Sequence, residues 1–156
     1  MPATALEWED LGEDALEALA ARVGGALAPG DVVVLKGEVG AGKTTFVRAA
    51  ARSLGVRETV TSPTYQFARG YEGYVGGRAV AVNHLDLYRL EGLNARDALD
   101  LDEYLRPDSV TFVEWADPAL RLLGEPNVVE ISHRSPATRR VRLSGPLAGR
   151  LSPTTC

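Results

Sequence analysis

The sequence predicts a single α/β domain with a parallel core, and three observations lead to this fold class. An apolar run at 32–35 is followed by a glycine-rich turn and then by a helical segment at 44–54. A second, mostly apolar run, SVTFV at 109–113, is followed directly by an acid, Glu114. At 156 residues the chain has the size of one domain and can bury a core. We expect this domain to span 1–145, followed by a frayed, disordered tail at 146–156.

The first half of the chain predicts a helix, a buried strand and a second helix. Residues 13–27 carry acids in their first turn and apolar side chains at helical spacing, namely Leu16, Leu19, Val23 and Leu27. The strand at 32–35 (VVVL) is apolar at every position, which is typical of a strand covered on both faces of a parallel sheet. The helix after the glycine-rich turn is expected to end at Gly55.

The second half predicts more strands than helices. Two strands are expected to be joined through a glycine-rich turn at 71–77, the second of them reading AVAVNHLDL. Two late strands are predicted, at 127–132 (NVVEIS) and 139–144 (RRVRLS), and they are expected to pair as a hairpin. Short helices are predicted between these strands, at 94–105 and 118–123.

The composition excludes several classes of protein. Hydrophobic residues make up 45% and charged residues 24%, as in an ordinary soluble domain, and no apolar run approaches the roughly 20 residues that cross a bilayer. The first residues carry acids and no basic segment, so we expect no secretory signal. Cys156 is the only cysteine, which excludes an internal disulfide and a cysteine zinc cluster. We therefore expect a cytoplasmic protein with no membrane association.

The net charge of −4 disfavours an extended electrostatic contact with nucleic acid. A local basic patch near the C-terminus comprises Arg134, Arg139, Arg140 and Arg142. We interpret it as a solvated edge strand with outward arginines.

The strongest functional signal is a phosphate-binding loop. Residues 37–44, GEVGAGKT, match G-x-x-x-x-G-K-[ST] at every position, between a predicted strand and a predicted helix. Glycines let successive N–H groups point inward at an anion, and the helix adds the positive end of its dipole. Lys43 is expected to reach the β- and γ-phosphates of a nucleotide, and the Thr44 hydroxyl to ligate magnesium. A chance match among 16 glycines does not explain the lysine, the threonine and the flanking elements.

A P-loop NTPase also needs an acid at the tip of another core strand. Glu114 follows the more uniformly apolar run, so we assign it to the metal side, and Asp86 to the attacking water or the switch loop. Pattern alone leaves the order of these two roles open. His84 is expected on the same strand face as Asp86, where it would order the loop, and Arg89 is a candidate charge stabiliser. Asn83 begins NHLD, which lacks the lysine of the guanine-reading N-K-x-D motif, so guanine specificity is rejected.

The segment TSPTY at 61–65 lies where nucleotide switches carry a hydroxyl that senses the γ-phosphate. Thr64 and Ser62 are both candidates. Local sequence alone favours a plain proline turn.

Together these segments resemble the TsaE family, the ATPase subunit of the bacterial machinery that makes tRNA threonylcarbamoyladenosine. The matching segments are GEVGAGKTTF (37–46), SPTY (62–65), HLDLYRL (84–90) and VEW (113–115). The P-loop is generic, but its combination with the other three is specific. Their order and spacing match the family over about residues 10–143.

The resemblance implies a P-loop NTPase fold, with a mixed, mostly parallel sheet flanked by helices, and it implies ATP and Mg²⁺ as cofactors. Lys43 and Thr45 would hold phosphate, Thr44 and Glu114 would hold Mg²⁺, and Trp115 would pack beside the metal acid. Asp86, Glu114 and Thr64 would be the catalytic set. The ATP-binding set would be Glu38, Val39, Gly40, Ala41, Gly42, Lys43, Thr44 and Thr45.

The resemblance also implies a role. Slow ATP hydrolysis would support the N6-threonylcarbamoyladenosine (t6A37) modification of tRNA by acting on two partners, a TsaD-like carbamoyl-transferase subunit and a TsaB-like dimerising subunit. The tRNA would be reached only through that complex.

A small-molecule P-loop kinase, like shikimate or nucleoside kinases, is the main alternative. Kinases usually close an arginine-bearing lid over the phosphates. The arginines at 134–140 are followed by a predicted strand rather than flanked by helices. A regulatory switch that hydrolyses its nucleotide slowly is not distinct from the favoured interpretation, because TsaE-like proteins act through partners. A structural module with an inactive P-loop is disfavoured by the intact Lys43, Thr44, Asp86 and Glu114.

Overall fold

One sheet of seven strands organises the part of the chain that the computed structural model describes, residues 5–38, 40–60, 68–87, 101–116 and 122–151. The strands are β1 (Ala5–Leu11), β2 (Val32–Lys36), β3 (Ala68–Val75), β4 (Arg78–Asp86), β5 (Ser109–Glu114), β6 (Asn127–Ser135) and β7 (Thr138–Ser144). The helices with complete described bounds are α1 (Glu13–Ala26), α2 (Lys43–Ser53) and α3 (Pro146–Leu151). The predicted α/β class is confirmed.

The strand order is β1-β7-β6-β2-β5-β4-β3. The four central strands are parallel, since β2 pairs in parallel with β5 and β6, and β4 with β5. The outer strands β1, β7 and β3 pair antiparallel with their neighbours. All four central strands therefore point their carboxyl ends at the same edge of the sheet, and that edge carries the candidate site.

The sheet is covered on both faces, as the apolar run of β2 predicts. Val33 and Phe112 belong to a buried cluster that also contains residues of α1, α2 and α3. Val34 and Val113 face the other way and pack with Leu101 and neighbouring apolar residues. Alternate residues of one strand thus enter different cores, which explains why the strand carries no polar face.

The first strand was not predicted from the sequence. Residues 5–11 form β1, which pairs antiparallel with β7 and makes β1 the sheet edge. Arg140 donates to Glu7 at 2.9 Å, and Arg134 lies 3.4 Å from Glu9. The interpretation of this segment as an edge strand is therefore wrong, because β7 lies between β1 and β6 in the sheet. Arg140 and Arg142 of β7 pair with Glu7 of β1 and stay partly exposed.

The predicted glycine-rich turn is shorter than expected. Residues 71–75 belong to β3, and the turn to β4 consists of Gly76 and Gly77. Both have positive φ, of 57° and 81°, the conformation that tight hairpin turns require. The predicted hairpin of the last two strands is confirmed, with β6 and β7 paired antiparallel. The predicted helical residues 94–100 and 118–121 lie outside the described residues.

The expectation of a disordered tail from residue 146 is wrong for its first half. Residues Pro146–Leu151 form α3, which buries three side chains, those of Leu147, Ala148 and Leu151. The Leu147 N–H donates to Asn127 Oδ1 at 2.6 Å. The apolar spacing that docks this helix was present in the sequence, but a six-residue helix depends on tertiary contacts that propensity does not reveal. Residues 152–156 lie outside the described part of the chain.

Shortening a buried side chain of α3 should destabilise the whole domain. We expect Leu147→Ala to lower the free energy of unfolding by about 2–4 kcal/mol, because it leaves a cavity in the larger core. Urea unfolding of the full chain measures this change. Leu122→Ala is the control, since that leucine is 44% exposed. Equal effects of the two substitutions would contradict the docking of α3.

Candidate functional site

The P-loop begins where β2 ends. Gly37 follows the last residue of β2, and Lys43 is the first residue of α2. Gly42 is the N-cap residue of that helix, with φ 109°, in the left-handed region that favours glycine. The loop turns tightly, with the Ala41 N–H donating to Glu38 O at 3.0 Å. Seven of the eight predicted ATP-binding residues lie in this strand–loop–helix unit, and Val39 lies outside the described residues.

The first glycine of the motif is required by a close backbone approach. Gly37 has φ 154°, and a Cβ on it would lie 2.4 Å from the carbonyl oxygen of Ile131 in β6. Real Cβ atoms do not approach a backbone oxygen so closely. The loop therefore leaves the sheet in contact with β6, and only glycine fits at this point.

The P-loop lysine is buried and already engaged. Lys43 is 6% exposed, and its Nζ donates to Gly37 O at 2.7 Å. The same Nζ lies 3.8 Å from the centroid of the Trp115 ring, a cation–π contact. Burial lowers the pKa of Lys43, while the Glu114 and Asp86 carboxylates oppose this shift. The amine is thus a desolvated cation beside two acids, in a cradle that favours an anion.

Trp115 is held in an unusual backbone conformation. Its φ is 56°, one of two positive values among the described non-glycine residues. Such a conformation costs of the order of 1 kcal/mol or more for a bulky residue and persists only where its surroundings impose it. Here it follows Glu114 directly and places the ring under the Lys43 ammonium. The family resemblance implies that Trp115 packs beside Glu114, and in the structure the Trp115 ring contacts Lys43.

The two predicted acids end neighbouring parallel strands. Asp86 is the last residue of β4, Glu114 the last of β5, and the two are register partners. Glu114 is also the register partner of Leu35, two residues before the P-loop. Glu114 is buried, at 4% exposure, whereas Asp86 is of intermediate burial. The sheet thus brings both acids to the edge at which the P-loop begins.

His84 holds the buried acid. Its Nε2 lies 2.5 Å from Glu114 Oε2, and both side chains are at most 5% exposed. Its Nδ1 is buried and has no hydrogen-bond partner among the described residues. His84 contacts the acid of the next strand, a partnership that the sequence did not predict. One carboxylate oxygen of Glu114 is therefore held by His84.

A magnesium ion is compatible with the donors at this edge. The Thr44 hydroxyl and the Glu114 carboxylate are hard oxygen donors, which Mg²⁺ prefers, and it commonly keeps waters and uses only one or two protein ligands. The described residues contain no cluster of three or more His, Cys, Asp or Glu that could hold a metal ion. Thr44 and Glu114 would therefore supply the one or two protein ligands that such an ion uses.

Some predicted site residues lie outside the described part of the chain. These are Val39 of the P-loop, Ser62 and Thr64 of the predicted switch segment, and Arg89. Arg48 of α2 donates from its Nε to Val60 O at 3.0 Å, at the end of the described residues before that segment.

Comparison with known proteins identifies the group to which this fold and site belong. The family model described as threonylcarbamoyl adenosine biosynthesis protein TsaE matches residues 11–142. The chain belongs to the TsaE family. The resemblance inferred from the four sequence segments is thus confirmed. The match does not favour the alternative of a small-molecule kinase.

Individual TsaE proteins support the same conclusion. The chain is 44% identical over 108 residues to the tRNA threonylcarbamoyladenosine biosynthesis protein TsaE of Streptomyces coelicolor, covering 69% of this chain and 71% of the relative. It is 37% identical over 111 residues to the TsaE of Bacillus subtilis, covering 71% of this chain and 66% of the relative. The crystal structure of Bacillus subtilis YdiB superposes with a TM-score of 0.68 at 29% identity, covering 93% of this chain and 88% of YdiB.

Within the described ranges of this TsaE family member, no helix combines the length and apolarity of a membrane-spanning helix.

Proposed function

We propose that the protein is a magnesium-dependent ATPase that hydrolyses ATP slowly and under the control of partner proteins. The observation that supports this most directly is the convergence of Lys43, Asp86 and Glu114 at the carboxyl edge of the central strands, beside the P-loop. An anion binder needs only the loop. The two acids add what phosphoryl transfer to water requires, a metal ligand and a group that orients the nucleophile.

The P-loop would bind the phosphates of ATP. The N–H groups of the first turn of α2, which begins at Lys43, favour an anion at this position. Lys43 would exchange its bond with Gly37 O for the β- and γ-phosphate oxygens. This exchange costs little desolvation, because Lys43 is already buried. Thr45, in the first turn of the helix, would donate its hydroxyl to a phosphate oxygen.

The two acids, Glu114 and Asp86, would have different roles in hydrolysis. Thr44 and Glu114 would hold Mg²⁺, which when bound neutralises charge on the β- and γ-phosphate oxygens. His84 keeps the Glu114 carboxylate in one orientation. Asp86, which is less buried and is the register partner of Glu114, would accept a hydrogen bond from the attacking water. Thr64 would sense the γ-phosphate from the switch segment.

The family assigns a cellular context. We propose that hydrolysis supports the t6A37 modification of tRNA in the cytoplasm, through a complex with a TsaD-like carbamoyl-transferase subunit and a TsaB-like dimerising subunit. The net charge of −4 agrees with contact to tRNA through that complex rather than by a broad basic surface. In the described residues, Arg134, Arg140 and Arg142 are already paired with acids of β1, which removes the strongest basic patch.

Phosphate release by the pure protein tests this proposal. We expect turnover slower than about 1 per second, below the usual range for enzymes that act on metabolites. Addition of the TsaD-like and TsaB-like subunits with tRNA should change that rate, whereas either subunit alone is the control.

The destination of the phosphate separates the ATPase from a kinase. Inorganic phosphate should account for all the ATP consumed. A rate that ignores the partners, together with label from γ-phosphate on a small metabolite, would contradict the proposal and restore the kinase alternative.

A further inference from the structure

One arginine from the late hairpin contacts the P-loop. Arg139, in β7, lies opposite Leu11 of the edge strand β1. Its Nε donates to Ala41 O at 2.9 Å, and its Nη2 makes a longer contact, 3.5 Å, with Gly40 O. Its Nη1 donates to Thr138 O at 3.1 Å, which fixes the guanidinium to its own strand. Two successive P-loop carbonyls are therefore tied to β7 by one side chain.

The neighbouring arginines have a different role. Arg140 and Arg142 lie on the same strand and pair with Glu7 of β1, at 2.9 and 3.7 Å. Within the described ranges, no carboxylate forms an ion pair with Arg139, whose donors are directed at carbonyl oxygens. Cross-strand charge pairing, which accounts for Arg140 and Arg142, therefore does not account for Arg139.

The contact fixes the direction of a P-loop peptide. A trans peptide is planar, so its C=O and its N–H point in opposite directions. Because Arg139 binds the Ala41 carbonyl, the N–H of Gly42 in the same peptide points away from the guanidinium. The preceding Ala41 N–H is used inside the loop, on Glu38 O at 3.0 Å. Gly42 has a φ of 109°. As a glycine, it can adopt many backbone conformations unless its neighbours restrict it.

We propose that Arg139 is a positioning residue for the phosphates of a nucleoside di- or triphosphate. It acts through the backbone of residues 40–42, in which the Gly42 N–H must point at the anion, and it does not touch the nucleotide itself. This inference rests on the proposed ATP binding by the P-loop. It adds a residue from the other end of the chain to a loop whose sequence motif is complete without it.

Calorimetric titration with ATP and with ADP tests the proposal on the full chain. We expect Arg139→Ala to weaken both nucleotides about 10-fold, because a charged donor to the loop is lost. Arg139→Lys should recover part of that affinity, since an ammonium can reach one carbonyl but lacks the fork that reaches two. Arg140→Ala is the matched control, and we expect its nucleotide affinities to equal those of the wild type.

Steady-state kinetics and melting distinguish positioning from general stability. Arg139→Ala should raise KM by about the same 10-fold and leave kcat within about 3-fold, because the loop binds ground and transition states alike. Melting temperatures of the unliganded Arg139→Ala and Arg140→Ala proteins should be similar, since each loses partly exposed contacts of the same strand.

Three results would overturn the inference. Wild-type affinity in Arg139→Ala would do so, and so would an equal loss of affinity in Arg140→Ala, which would indicate a general charge effect. If Arg139→Ala does not fold, Arg139→Gln is measured instead. We expect the same loss of nucleotide affinity, and wild-type affinity in this variant would again contradict the inference. If the wild type itself binds neither ATP nor ADP, the proposed ATPase function fails, and the inference about Arg139 fails with it.

Discussion

Replacing Lys43 by alanine is expected to abolish ATP binding at millimolar nucleotide. Lys43 supplies the side-chain positive charge at the P-loop, and charge-assisted hydrogen bonds contribute about 1.5–3 kcal/mol each. Losing two of them to the β- and γ-phosphates corresponds to a fall in affinity of at least about 100-fold. The fold should survive the change. Because burial lowers the pKa of Lys43, the charged amine is disfavoured in the folded state and does not stabilise it.

Calorimetry with ATP and thermal melting check both parts of this expectation. Lys36→Ala is the matched control, because Lys36 is the only other lysine in the sequence and lies exposed at the end of β2, just before the loop. Its removal should change the affinity by less than about 3-fold, as an exposed charge near the site would. Unchanged affinity in Lys43→Ala would remove the P-loop assignment altogether.

The P-loop and the two acids could be predicted because their signals are local. Residues 37–44 carry the motif itself, and the apolar runs before Asp86 and Glu114 mark strands that end at those acids. Parallel strands then bring their carboxyl ends to one edge without any further information. Burial distinguishes the two acids more clearly than the sequence pattern does. Glu114 lies inside the protein beside His84, whereas Asp86 lies nearer the surface.

Features that depend on distant pairing were not predicted. The segment of β1 looks like an acidic N-terminus, and it becomes a strand through its pairing with β7, more than 100 residues later. The contacts of Trp115 with Lys43, of His84 with Glu114 and of Arg139 with Ala41 join separate elements. No spacing in the sequence indicates such contacts, because they depend on strand order and register.

Replacing Glu114 by glutamine is expected to abolish magnesium-dependent hydrolysis while leaving metal-free nucleotide binding intact. Glutamine keeps the size of the side chain and a hydrogen bond to His84 but loses the charge that would hold Mg²⁺. We expect hydrolysis to fall at least about 100-fold, the scale set by removing one electrostatic contact in a catalytic site. ADP affinity measured with and without Mg²⁺ gives a second readout, in which the effect of the metal should disappear.

Glu114→Ala separates the structural role of this carboxylate from its chemical role. Alanine leaves Nε2 of His84 buried without a partner, which costs about 1–3 kcal/mol, so its melting temperature should fall below that of Glu114→Gln. Both variants should lose hydrolysis equally. If only alanine impaired hydrolysis, the effect would come from the disturbed His84 rather than from a missing metal ligand.

Asp86→Asn decides which acid holds the metal. With the roles proposed above, it should slow hydrolysis and keep the magnesium dependence of ADP binding, because an amide cannot orient the attacking water as a carboxylate does. The reverse result, normal hydrolysis in Glu114→Gln with loss of metal-dependent binding in Asp86→Asn, would exchange the two assignments. Register alone permits either order, since Asp86 and Glu114 are direct neighbours across β4 and β5. The burial of Glu114 against His84 favours a fixed metal ligand, whereas a water-orienting acid must stay open to solvent, as the partial exposure of Asp86 allows.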